Sequence, residues 1–258
     1  MTYPLPNFST ALGGQVAIVT GASAGLGLRF SKVLAAAGAH VALMSRRLDK
    51  LEALADEIRA SGGVAEPFAV DMTDAEGLDG AVEDVVAKMG LPQILVNNAG
   101  IPDAALATRI PLELIDRVLD TNLRAPFVMA REVARRLIKA KLPGRIVNIA
   151  SSAAYQYDGA GAALYSITKS GMVRMTEVLA VEWAKFNINV TGIAPGGFRT
   201  EMMDGMIERV GEGMIEQFPR KRIGDPAQMD STLLFLVSLS SECVTGTTIR
   251  IDDGQGYR

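Results

Sequence analysis

Short β-branched and aliphatic runs alternate along the chain with longer segments whose apolar positions recur every three to four residues. Val16-Ala17-Ile18-Val19 predicts a strand, and Leu26, Phe30, Val33 and Leu34 then fall on one face of a helix that Gly38 ends. The cycle resumes with a strand from Val41 to Met44 and a helix carrying Leu48, Leu51, Leu54, Ala55 and Ile58, closed by Gly62-Gly63. A strand from Val64 to Val70, weakened by Pro67, precedes a helix with Leu78, Val82, Val85, Val86 and Met89, and Ile94-Leu95-Val96 reads as the next strand. A long helix from about Leu112 to Lys139, a strand from Ile146 to Ile149 and a helix from Tyr165 to Trp183 come next. Strands from Ile188 to Ile193 and from Thr248 to Ile251 complete the pattern. Repeated β–α units build parallel sheets, so the expected fold is α/β: one doubly wound parallel sheet of about seven strands with helices on both faces. With no linker, low-complexity run or internal repeat, one domain is expected over residues 1–258.

Composition narrows the function classes. Of 258 residues, 48% are hydrophobic and 21% charged, which fits a packed core rather than a disordered chain. The 29 acidic and 26 basic residues are interspersed and leave a net charge of −3, so no field attracts nucleic acid or an anionic membrane. The first basic residue is Arg29 and no apolar stretch approaches about 18 residues, so neither a signal peptide nor a membrane span is expected. Cys243 stands alone, which fits a reducing compartment and makes the cytoplasm the default location. No residue set suggests a metal site.

Chemistry enters at the end of the first strand. Thr20-Gly21-Ala22-Ser23-Ala24-Gly25-Leu26-Gly27 joins that strand to a helix, the setting in which glycines let the backbone approach a pyrophosphate at a helix N-terminus. The turn resembles that of the short-chain dehydrogenase/reductase family, whose Thr-Gly-x-x-x-Gly-x-Gly it matches. Asn97-Asn98-Ala99-Gly100, Tyr165-x-x-x-Lys169 and Pro195-Gly196 with Thr200 match further family motifs in order, so the resemblance covers nearly the whole chain. It implies a Rossmann-type fold and an NAD(P)-dependent exchange of a carbonyl and a secondary alcohol, similar to that of 3-oxoacyl-carrier-protein reductases. A homotetramer built partly on the two long helices is also implied.

Tyr165 and Lys169 stand one turn apart on one helix face, so an ammonium can lie beside a phenol. A tyrosine of reference pKa about 10 must be lowered by roughly two to three units, about 3–4 kcal/mol, to exchange protons readily near neutral pH, and a nearby cation acts in that direction. By resemblance, Tyr165 is the general acid of carbonyl reduction, while Lys169 tunes it and holds the nicotinamide ribose. A serine after the fifth strand would polarise the carbonyl. Strand phase from Gly144-Arg145-Ile146 selects Ser151, whereas the family's usual spacing of about 13 counted back from Tyr165 selects Ser152; Ser151 is favoured because an extra residue fits more cheaply in the loop from Tyr155 to Ala163 than in a strand. Asn122 matches the asparagine that interrupts the long helix and supports a proton-relay water.

For the cofactor, the resemblance implies that Gly21, Ser23, Gly25, Leu26 and Gly27 cradle the pyrophosphate, Asp71 and Met72 meet the adenine, and Asn98, Ala99 and Gly100 wall the adenosine ribose. Ile193, Pro195, Gly196 and Thr200 would lie at the nicotinamide carboxamide. The end of the second strand reads Ser45-Arg46-Arg47, a serine in place of the carboxylate that accepts from a 2′-OH, followed by guanidinium groups suited to a 2′-phosphate. NADP(H) is favoured, with NAD(H) the alternative because Ala24 leaves the glycine-rich turn without its own cation.

Residues 196–226 carry Met202, Met203, Met206, Met214, Ile215 and Phe218, which suggests a lid over an apolar or mixed small-molecule substrate, with plain packing the simpler alternative. Tyr155, Gln156 and Tyr157 are placed to shape the same pocket. Arg220-Lys221-Arg222 reads as a solvated charge run in preference to a site for a phosphorylated carrier. Two other functions stay open: an NAD-dependent alcohol or sugar dehydrogenase, and a dinucleotide-binding regulator without turnover.

Overall fold

The computed structural model describes residues 12–157, 161–211 and 213–256. The expected domain span of 1–258 therefore passes beyond the described residues at both ends. The loop from Tyr155 to Ala163 and the expected lid at 196–226 include residues 158–160 and 212, which also lie outside them.

Seven described strands, β1 (Val16–Thr20), β2 (His40–Ser45), β3 (Val64–Ala69), β4 (Pro92–Asn97), β5 (Gly144–Ile149), β6 (Ile188–Pro195) and β7 (Thr248–Ile251), form one parallel sheet. Its order is β3-β2-β1-β4-β5-β6-β7, the doubly wound arrangement expected from the alternating pattern. Period-2 alternation divides the core. Ala17 and Val19 of β1 face the helices α1 (Gly25–Ala36), α2 (Leu48–Ala60) and α9 (Asp230–Val237), through Phe30, Leu34, Leu51, Leu54, Leu233 and Leu236. Val16 and Ile18 face α3 (Gly77–Met89), α5 (Ala125–Ala140) and α6 (Ala163–Trp183), through Leu78, Val82, Met129, Val133, Met172 and Leu179. Covering both faces is why β1, β4, β5 and β6 read as nearly unbroken apolar runs. Pro67 is accommodated because β3 is an edge strand, paired with β2 only.

Several boundaries differ from the periodicity reading. β5 begins at Gly144 and β6 runs on to Pro195, because ladder pairing continues past the last β-branched residue. β3 stops at Ala69, one residue short of Val70. The long helix is two α-segments, α4 (Leu112–Leu119) and α5, joined by a π-helical turn at Asp120–Arg124. Asn122 sits within that turn, where the resemblance places an interruption. Three helices escaped periodicity: α7 (Glu201–Val210), α8 (Gly213–Glu216) and α9, the last being apolar on nearly every side, which leaves no stripe to detect. Among the described residues no helix is long and apolar enough to cross a membrane.

Candidate active site

The strand order reverses between β1 and β4, so the connections leaving these strands diverge and open a crevice at their C-terminal ends. Thr20 and Asn98 lock the two edges of that crevice together. Thr20 Oγ1 accepts from the Asn98 and Ala99 amides at 3.0 Å each, and Asn98 Nδ2 donates to Thr20 O at 2.9 Å. The crevice deepens into a cavity of about 810 Å³ lined by Gly21, Ser23–Leu26, Ser45–Arg47, Asp71, Met72, Asn98–Gly100, Ser151, Ser152, Tyr165, Lys169, Pro195, Gly196 and Thr200. Nearly all of the anticipated site residues thus meet in one place.

The glycine-rich turn has the shape of a cradle. A side chain at Gly27 would place its Cβ 2.3 Å from Gly21 O and 2.5 Å from Asn98 Nδ2, so only glycine lets α1 enter this closely. Gly27 itself does not line the cavity; it sets the approach of the helix. The first turn of α1 has neither a capping side chain nor an acidic residue, which leaves its amides available to a pyrophosphate. These features fit the dinucleotide that the fold implies.

At the adenosine end, Asp71 accepts from Thr73 N and Thr73 Oγ1 at 2.9 Å each. Those bonds first, and then Arg46 and Arg117 nearby, hold its carboxyl below the usual carboxylate range against the opposing effect of partial burial. Arg47 Nε donates to Ser23 Oγ at 3.0 Å, and its guanidinium pairs with Glu201 of α7 at 3.1 Å. Arg46 makes no hydrogen bond or ion pair among the described residues and lines the cavity. Arg117 of α4 also lines it, and nothing in its local sequence distinguishes it from a surface helix arginine.

At the other end, Ser151 follows β5 and caps a short 3₁₀ turn, Ser152–Ala154, accepting from Ala153 N at 3.1 Å. Burial acts most on the Tyr165 hydroxyl and holds it above the ordinary phenol value, with the Asp103 carboxylate adding to the rise, while the neighbouring Ser151 hydroxyl acts the other way and favours the phenolate. Lys169 is not among the groups that move this value in the protein alone. Lys169 lies 5.6 Å above the Tyr165 ring and donates to Ile149 O at 2.8 Å, and burial brings its own pKa down to about 8. At neutral pH a lysine of this pKa is still mostly an ammonium, so burial of the phenol, not loss of the cation, keeps the Tyr165 value up.

Asn122 is fully buried behind the cavity. Its Oδ1 accepts from Ile101 N at 2.8 Å and its Nδ2 donates to Ile101 O at 2.9 Å, which pins the loop after Gly100. A Cβ on Gly100 would stand 3.4 Å from Lys169 Nζ and 3.5 Å from Asn122 Oδ1, so both groups flank that glycine. Ile193 is a correction. It is buried within β6 with its carbonyl engaged by Ala150 N at 2.7 Å, whereas Phe198, just past the glycines, reaches the cavity. The proline–glycine motif marks where the strand ends, and cavity-lining backbone follows it rather than precedes it.

Met202, Met203, Met206, Met214 and Phe218 line the cavity from α7, α8 and their connections, and no residue of α7 or α8 is fully buried. The apolar residues of this segment therefore roof the cavity instead of joining a core. Gln156 and Tyr157 also line the cavity, whereas Tyr155 lies under Arg250, whose guanidinium is 4.8 Å from the ring centroid. Arg220 and Arg222 pair with Asp253 at 3.0 and 2.6 Å, and Lys221 with Glu216 at 3.5 Å, which makes the basic run a locally compensated surface.

A doubly wound sheet with a glycine cradle at its switch point and a serine, tyrosine and lysine at the far end of the same cavity defines a dinucleotide-dependent oxidoreductase. The chain belongs to the short-chain dehydrogenase/reductase family, whose sequence profile, described as short chain dehydrogenase, matches residues 15–210. It is 35% identical over 243 residues to the 3-oxoacyl-[acyl-carrier-protein] reductase of Thermotoga maritima, covering 94% of this chain and 98% of that one. It is also 35% identical over 246 residues to the 2-dehydro-3-deoxy-D-gluconate 5-dehydrogenase of Dickeya dadantii, covering 94% and 96%. The crystal structure of a short-chain type dehydrogenase/reductase from Mycobacterium marinum superposes with a TM-score of 0.90 at 33% identity, covering 95% of this chain and 96% of the other. The protein is thus an enzyme, an NAD(P)-dependent dehydrogenase/reductase.

Proposed function

We propose that this enzyme is a cytoplasmic NADP(H)-dependent oxidoreductase that interconverts a carbonyl compound and its secondary alcohol, with 3-oxoacyl compounds as the substrate class. The observation that carries the reading is the convergence of Ser151, Tyr165 and Lys169 on one cavity with the glycine cradle at its other end. The bound dinucleotide supplies or accepts the hydride. Tyr165 donates the proton that the carbonyl oxygen gains on reduction, and Ser151 donates a hydrogen bond to that oxygen as charge develops on it. Lys169 holds the nicotinamide ribose, and Asn122 fixes the Gly100 loop against it. The methionine-lined roof excludes water and adapts to an acyl chain.

The preference for NADP(H) rests on Ser45 and Arg46. Ser45 puts no carboxylate against a 2′-phosphate, and Arg46 lines the cavity without a hydrogen bond or ion pair among the described residues. A second reading, an NAD(H)-dependent sugar or alcohol dehydrogenase, is favoured by the gluconate-type relative and by Ala24.

The deciding experiment assays acetoacetyl-coenzyme A, simple ketones and sugar acids with NADPH and NADH, with Tyr165→Phe as control. We expect 3-oxoacyl thioesters to be reduced, NADPH to exceed NADH by about tenfold or somewhat more in kcat/KM, roughly 1.4 kcal/mol, and Tyr165→Phe to lose turnover while keeping cofactor binding. Equal or higher kcat/KM with NADH overturns the cofactor assignment, and near-normal turnover of Tyr165→Phe removes that residue from the chemistry.

A further inference from the structure

Asp103 lies outside every motif in the sequence, yet only 2% of it is exposed. A carboxylate buried this deeply needs compensating donors. Its Oδ1 accepts from Ala104 N at 3.0 Å, and its Oδ2 accepts from Leu164 N at 2.8 Å and Tyr165 N at 3.3 Å. The last two are first-turn amides of α6, a 21-residue helix whose own N-cap, Ala162, supplies no side-chain acceptor and whose first turn has no acidic residue. Asp103 thus performs a capping role from 61 positions away in sequence. Its loop is fastened on either side: Asn122 grips Ile101, and Ala105 bridges to Ala162 beside the start of α6.

We propose that Asp103 is a positioning residue for Tyr165, seating it by capping α6 from outside the helix and favouring its protonated, proton-donating form. The inference rests on the proposed role of Tyr165. A negative charge at the start of α6 opposes a second negative charge on the phenolate one residue into the same turn, and Asp103 is indeed one of the groups that raise the Tyr165 hydroxyl above its ordinary value. The other polar groups beside Tyr165 are Ser151 from the end of β5, which favours its phenolate, and Lys169 from α6, 5.6 Å from its ring. The remaining charged residues lining the cavity, Arg46, Arg47, Asp71, Arg117, Glu201 and Arg209, belong to the adenosine end and the roof.

The test is an ultraviolet difference titration of phenolate absorption, wild type against Tyr165→Phe, repeated in an Asp103→Asn background. This isolates the ionisation of Tyr165 without substrate. We expect the Tyr165 midpoint to fall by about one pH unit in Asp103→Asn, which keeps an acceptor oxygen but loses the charge. The alkaline limb of the reduction rate should shift the same way. Asp103→Ala, which removes the cap as well, should lose about tenfold or more in kcat, with Asp103→Asn recovering part of it. An unshifted Tyr165 midpoint in a folded Asp103→Asn protein overturns the inference, as does Asp103→Ala with wild-type kcat. Loss of turnover in Tyr165→Phe together with an unshifted midpoint would leave the catalytic reading intact and remove only the role of Asp103.

Discussion

Ser151 and Ser152 both line the cavity, but of the two it is Ser151 that acts on the Tyr165 hydroxyl, favouring its phenolate. Strand phase selected the same residue, because the register of β5 is held by its ladder to β4 and β6 while the following loop is free to vary in length. Ser151→Ala should therefore lower kcat by about 10²-fold and Ser152→Ala by much less. The reverse ranking in steady-state assays would assign the chemistry to Ser152. Lys169 permits a second test. Its folded-state value of about 8 lies below the ordinary 10.5, so between those values the unfolded chain binds more protons than the folded one. Below about pH 8 the cost of the buried ammonium is fully present; as pH rises toward 10.5 that cost is relieved and stability increases, by about 3 kcal/mol at most. Denaturant unfolding without cofactor should show wild type gaining on Lys169→Met across this window. A constant difference would mean that the ammonium is solvated. Asp103 could not be found by such reasoning, since its role comes from a contact between distant segments that no local pattern encodes.

At the scale of elements, periodicity located the strands because most are buried on both faces, and it failed for α9, whose apolar residues run nearly all round. α7 is amphipathic but turns its apolar side to a cavity rather than a core, whereas α9 is apolar nearly all round and lacks the stripe that marks α1 or α2. Glycines were legible as turns, but their necessity depends on what surrounds them. Gly27 and Gly80 both lie in helices, yet a Cβ at Gly27 would meet Gly21 O at 2.3 Å whereas one at Gly80 meets nothing within 4 Å. Gly27→Ala should force α1 away from β1, costing about 1–3 kcal/mol and most of the cofactor affinity. Gly80→Ala should instead stabilise the protein by about 0.5–1 kcal/mol through helix propensity, with activity unchanged. Melting curves with and without cofactor separate the two. Equal behaviour of the variants would show that the cradle does not set the approach of α1.

For the whole molecule, the core accounts for most apolar residues of the long helices but not all. Met129, Val133, Met172 and Leu179 are buried against the sheet, as are Met175 and Trp183. Ile167, Val178 and Val181 of α6 are 63%, 42% and 81% exposed, and Phe127 of α5 is 46% exposed. At 100° per residue, positions 167, 178 and 181 fall within about 60° of one another on the side of α6 opposite its core, an apolar stripe interrupted by the exposed Arg174. Exposed apolar residues gathered on one side of a helix mark an association surface more often than scattered ones do. The expected assembly is a homotetramer in which this face and the neighbouring exposed side of α5 meet their symmetry mates, as in the isologous contacts of closed oligomers. Light scattering at micromolar concentration should give a mass near four times 27.4 kDa. Val181→Glu places a charge in the most exposed part of the stripe, where it would be desolvated against its counterpart, and should lower the mass to that of a dimer or monomer while leaving the helical circular dichroism intact. A wild-type monomer, or a Val181→Glu protein that keeps the wild-type mass, would move the interface off this face.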